Sequence, residues 1–176
     1  MTHNDRMAIM VIKAEAFARE RHKGQKRKYT GEPYATHLEG VVKILKSVEH
    51  THAMLAAAWL HDAVEDGVAT QLEIDGFHWS VSGYVKALTN NTLSSTESRA
   101  TRKQMYRNQL GASLSCVQTI KLADMIDNCS TLMARDPKFA VTYFAEQRLM
   151  LAALKDGDAG LRERLRMILG GEDGNE

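Results

Sequence analysis

The chain has 176 residues, 44% apolar and 26% charged, the make-up of one globular domain with a sizeable core and little room for a second independently folded unit. Lys and Arg number 23 against 22 Asp and Glu, a net charge of +1, so no general basic field holds DNA or RNA and any anion site has to be local. No apolar run of about 18 residues offers a membrane span, no leader pattern opens the chain, and Cys116 and Cys129 are too few for a disulfide framework, so a cytoplasmic protein is expected.

In residues 7–17, Met7, Met10, Val11, Ala14 and Phe17 recur at three- and four-residue intervals, which predicts an amphipathic helix closing near Gly24. A basic loop follows over 23–34, broken by Gly31 and Pro33, with His37 just beyond it. Val41, Val42, Ile44, Leu45 and Val48 form a second apolar stripe. Residues 54–64 are so rich in Ala, Leu and Trp that they read as a buried helix, with Gly67 as the residue that ends it. Thr70 and Glu73 have capping-box spacing and start a short helix. Helices are expected over 78–88 and 97–110, with a polar, mobile loop at 90–96 between them and Gly111 ending the second. A wide apolar face over 116–132 marks a core helix. Pro137 suits the first turn of a helix reaching Leu154, and 161–169 form the last helix before a polar tail. The expected fold is all-α, one helical bundle over 1–176 with a core at about 5–155 and the last helix and tail over 156–176.

The dense chemical signal is His61-Asp62-Ala-Val-Glu65-Asp66, one imidazole and three carboxylates in six residues. At about 100° per residue, a continued helix would set His61 and Glu65 one turn apart, with Asp62 and Asp66 beside them, all four bordering one cavity. Carboxylates so close repel one another and are costly to bury ionised unless a multivalent cation or protons neutralise them. Imidazole with carboxylate suits a borderline or hard divalent ion that keeps open positions for water, rather than a closed thiolate zinc site. His37 at the loop-to-helix boundary and Asp124 on an apolar helix face are the candidates to complete two imidazoles and two carboxylates. Other residues have plainer readings: His3, His50, His52 and His78 as surface or half-buried groups, Trp59 and the methionines as core filling. Asp127 can be a partner of a ligand imidazole or a solvated helix residue.

The order His, His-Asp, Asp resembles the HD phosphohydrolase superfamily. The successive segments His22-Lys-Gly-Gln, Arg27-Lys28, Gly31-Glu-Pro-Tyr34-Ala-Thr-His37, His61-Asp62-Ala-Val-Glu65-Asp66, Arg102-Lys103 and Lys121-Leu-Ala-Asp124 with Asn128 and Thr131 resemble the hydrolase domain of the RelA/SpoT alarmone family over about residues 18–135. The chain stops where the family's long members continue into a synthetase domain, so the resemblance implies a small, hydrolase-only member. It implies a manganese-dependent pyrophosphohydrolase that removes the 3′-pyrophosphate of ppGpp or pppGpp, a small-molecule nucleotide. His37, His61, Asp62 and Asp124 would hold the metal. Glu65 and Asp66 would orient or deprotonate the attacking water, and Arg27, Lys28, Tyr34, Lys103, Asn128 and Thr131 would line the nucleotide pocket. Leu38 stands where the family commonly has Pro, and Asp127 and Ser130 where many members carry His and Arg. These departures spare the metal set but leave guanine and adenine alarmones, or another nucleotide such as NADPH, both open. A nucleotide-sensing module without catalysis and a nucleoside monophosphatase share the site; the complete set of metal and acidic residues favours the enzyme.

Overall fold

In the computed structural model, which describes residues 2–92 and 96–170, the chain is helical throughout its regular elements: α1 (His3–Arg21), α2 (Ala35–Leu45), α3 (His52–Leu60), α4 (Gln71–Asp75), α5 (Trp79–Leu88), α6 (Arg99–Gly111), α7 (Ser115–Arg135), α8 (Pro137–Ala153) and α9 (Ala159–Ile168). The extended pairing found among the described residues is an isolated bridge between Lys26 and Pro33.

α3 is apolar on every side, and such a helix is stable only when neighbours cover it all round. Every residue from Ala53 to Leu60 is buried, and α1, α2, α5 and α7 surround them. The Thr51 side chain starts α3 by accepting the Met54 N–H. α7 is the second axis, packed on α2, α3, α8 and α9, with Val117, Ile120, Ala123, Ile126 and Cys129 buried along it. Each large aliphatic side chain buried this way contributes roughly 1.5–3 kcal/mol. One contiguous apolar core therefore fixes how α2, α3 and α7 meet, and these helices carry the polar site. Cys129 belongs to this core, whereas Cys116 is half-exposed.

The helix expected over 54–64 ends sooner, at Leu60. The His61 ring donates from Nδ1 to the Ala58 carbonyl at 2.8 Å, the acceptor that a continued helix would offer to the Asp62 N–H, and residues 61–66 follow as tight turns. Gly67, with φ +69°, closes them: its N–H reaches the Val64 carbonyl at 3.1 Å and the Val68 N–H reaches Ala63 at 3.0 Å, the paired bonds of a Schellman ending. The capping box of Thr70 and Glu73 forms as expected. The basic loop doubles back on itself. Gly31, at φ +71°, makes the turn, and bonds from Arg27 N–H to Glu32 O and from Tyr34 N–H to Gln25 O set Arg27 and Tyr34 ahead of α2. Of the polar loop expected at 90–96, residues 93–95 lie outside the described residues, as does the tail at 171–176. No helix among the described residues is long and apolar enough to cross a membrane.

Candidate metal centre

α2 delivers His37 from its first turn, the turn after α3 delivers His61 and Asp62, and α7 delivers Asp124. The four side chains, distant in sequence, converge. His61 Nε2 stands 3.0 Å from Asp62 Oδ2 and 3.7 Å from Asp124 Oδ1, while His37 Nε2 stands 3.5 and 3.3 Å from the same two oxygens. Both imidazoles are almost wholly buried. The Ala58 carbonyl can only accept, so His61 carries its proton on Nδ1; His37 Nδ1 likewise faces the Asp127 carboxylate at 2.7 Å. That leaves the two Nε2 atoms buried without a hydrogen-bond partner, beside the carboxylates of Asp62 and Asp124. One ligand atom each from His37, His61 and Asp62 lies within 4.8 Å of the others.

Two buried, unpartnered imidazole nitrogens with two carboxylate oxygens form a donor set suited to a divalent cation, and the chain's residues therefore fit one. Without a cation the four groups compensate one another. Burial pulls the His61 imidazolium down, but Asp62 and Asp124 outweigh it and push the pKa up to about 10. The same balance holds His37 well above the usual histidine range, with Asp124, Asp127 and Asp62 against burial. Burial would raise the Asp62 carboxyl, yet the two imidazoles hold it well below the usual carboxylate range. For Asp124, Lys121 and the imidazoles do the same. Asp124 is held on both oxygens, by Lys121 Nζ on Oδ2 and Asn128 Nδ2 on Oδ1, each at 2.7 Å. Tyr34 donates its hydroxyl to Asp62 Oδ2 at 2.5 Å, and burial, then the Asp62 charge, push that phenol's pKa up.

Glu65 and Asp66 take a different arrangement from the single face expected of a helix. Along the turns of 61–66 the two side chains take different partners, and neither residue lines the cavities beside the cluster. Glu65 Oε2 accepts the Asn90 N–H at 3.1 Å, and burial of its carboxyl end holds the pKa above the ordinary value against Asn90 and Lys121. Asp66 accepts from Gln25 Nε2 at 2.8 Å, and Gln25 Oε1 in turn accepts from the buried His22 at 2.6 Å.

Two cavities open beside the four converging groups. The first is lined by Arg27, Lys28, Tyr34, His37, Asn128 and Thr131 together with the aromatics Tyr29, Phe139 and Tyr143. The second holds Lys103, Lys121, Asp124 and Asn128, with Tyr106 and Glu146. All six residues expected around a nucleotide therefore line one cavity or the other, with Asn128 in both. Two of the cations are already paired, Arg27 with Asp127 at 2.7 Å and Lys103 with Glu146. Lys28 lies over the Tyr29 and Phe139 rings. The sequence reading missed Phe139, Tyr143 and Glu146, which lie on α8 with no spacing that marks them, and gave Lys121 no role beyond its place in the Lys-Leu-Ala-Asp segment.

The HD domain family model matches residues 14–151. A protein of Brucella melitensis named GTP pyrophosphokinase rsh is 32% identical over 160 residues, covering 88% of this chain and 21% of that protein. A Synechocystis protein named probable guanosine-3′,5′-bis(diphosphate) 3′-pyrophosphohydrolase is 32% identical over 163 residues, 89% of this chain and 20% of its own length. The chain thus spans about a fifth of the length of these relatives. A solved structure described as a metazoan ortholog of SpoT that hydrolyses ppGpp superposes with a TM-score of 0.80 at 26% identity, over 90% of this chain and 93% of that one.

Proposed function

This chain belongs to the HD domain family, and from that membership we propose that it is a manganese-dependent pyrophosphohydrolase that converts ppGpp or pppGpp to GDP or GTP and pyrophosphate. The whole chain, 1–176, is read as one HD domain acting on a small-molecule nucleotide in the cytoplasm. The observation that carries the proposal is the pair of buried, unpartnered Nε2 atoms of His37 and His61 facing Asp62 and Asp124. The names of the relatives and the described activity of the superposed protein support the substrate.

In this reading His37, His61, Asp62 and Asp124 hold the cation, which when bound lowers the pKa of water and offsets oxygen charge on phosphorus. Water attacks the phosphorus joined to the ribose 3′ oxygen, the bond to that oxygen breaks, and pyrophosphate leaves with the water's oxygen while the ribose oxygen gains a proton. Glu65, oriented by the Asn90 N–H and raised in pKa, accepts the proton of the attacking water. Asp66, held by Gln25 apart from Glu65, has the lesser part. Arg27, Lys28 and Lys103 balance phosphate charge, while Tyr34, Asn128 and Thr131 fix the nucleotide beside them. Incubating manganese-loaded protein with ppGpp, ppApp, NADPH and dAMP and resolving the products tests this. Release of pyrophosphate from ppGpp is expected; turnover of NADPH or dAMP alone, or of none, contradicts it.

A further inference from the structure

Asp127 sits on α7 one turn beyond Asp124, beside but outside the donor set. Its Oδ2 meets two donors, His37 Nδ1 and Arg27 Nη2, each at 2.7 Å, and the carboxylate is largely buried. Its Oδ1 is seated on Gly40 of α2. A Cβ at position 40 would stand 2.1 Å from Oδ1 and 3.0 Å from Cγ, so the Asp127 carboxylate would have to shift to admit it. His37 and Gly40 are three residues apart and so lie on one face of α2, which packs against α7. The single helix face thus supplies both the imidazole that Asp127 bonds and the bare backbone that lets Asp127 approach it.

The geometry points to Asp127 as a positioning residue: with Gly40 as its seat and Arg27 as its second anchor, it fixes the ring plane and tautomer of His37 and directs Nε2 toward the cation site. The inference rests on the metal reading above and deepens it. The bond from His37 Nδ1 to a carboxylate also increases the electron density available at Nε2, the usual effect of such a partner on a ligand imidazole. No reading of Asp127 as a solvated helix residue accounts for a carboxylate with one oxygen held by two donors and a glycine opposite the other.

The test titrates the full chain, stripped of metal, with Mn2+ alone by calorimetry and without nucleotide. Asp127→Asn keeps the shape and removes the charge, and it is expected to weaken Mn2+ binding by about ten- to a hundredfold. Gly40→Ala is expected to weaken it in the same direction, and to cause no further loss when combined with Asp127→Ala, which gives the added Cβ room. Circular dichroism of each metal-free variant checks that it folds; if Asp127→Asn does not, the Gly40→Ala pair of backgrounds carries the test. A folded Asp127→Asn binding Mn2+ within threefold of the parent, or a Gly40→Ala loss unchanged by Asp127→Ala, overturns the inference. A parent chain that binds no Mn2+ overturns the metal reading beneath it, so the two failures are told apart.

Discussion

Glu65→Gln separates water activation from metal binding. A glutamine carbonyl oxygen can still accept the Asn90 N–H that Glu65 Oε2 accepts at 3.1 Å, so the turn at 61–66 keeps its local bonds. None of the four converging donor atoms belongs to Glu65, so the metal content should stay near that of the parent. What is lost is the proton acceptor, a change that general-base catalysis values at about 10²–10⁴ in kcat, or roughly 2.7–5.4 kcal/mol of barrier. The sign of the pH effect follows from the same carboxyl. Its pKa is held above the ordinary glutamate value by burial, and it works deprotonated, so parent activity should fall as pH drops through that raised value. The residual activity of Glu65→Gln should lack this acid limb. Steady-state ppGpp hydrolysis across pH, with metal per chain counted by mass spectrometry, measures all of this. The reasoning is refuted if the variant keeps more than a third of parent kcat, or if metal and activity disappear together.

Asp66→Asn, whose side-chain oxygen can still accept from Gln25, should lower kcat less than Glu65→Gln does in the same assay. Lys121→Met removes one of the two bonds to Asp124 and should destabilise the metal-free protein by about 1.5–3 kcal/mol on urea unfolding, the scale of a hydrogen bond to a charged group. The loss stays below that of a fully orphaned buried charge because Asn128 and the imidazoles remain. Adding Mn2+ at about a hundred times its Kd should raise stability by about 2.7 kcal/mol. For a chain of this size that is a Tm rise of roughly 5–11 °C, reversed by a chelator.

The fold was legible because its signals are local: the all-apolar run of α3, the stripe of α7 and the capping box at Thr70 each act within one element. The convergence of His37, His61, Asp62 and Asp124 was legible as well, since Asp124 lies on an apolar helix face, His61 and Asp62 end an apolar run, and His37 at its loop-to-helix boundary has little else to explain it. The course of 61–66 was not, because α3 ends where the His61 ring takes the Ala58 carbonyl that a further helical turn would use, a competition invisible to periodicity. That competition splits Glu65 from Asp66. Nor could sequence show that Arg27 and Lys103 enter the pocket already paired with Asp127 and Glu146, partners about a hundred and about forty positions away that only tertiary packing brings near.

Anomalous diffraction from a manganese-soaked crystal reaches the core of the account. It should show one peak at about 2 Å from His37 Nε2, His61 Nε2 and oxygens of Asp62 and Asp124, the range of a coordination bond. A peak elsewhere, or one that touches the Asp62 carboxylate while both Nε2 atoms stay unligated, would contradict it.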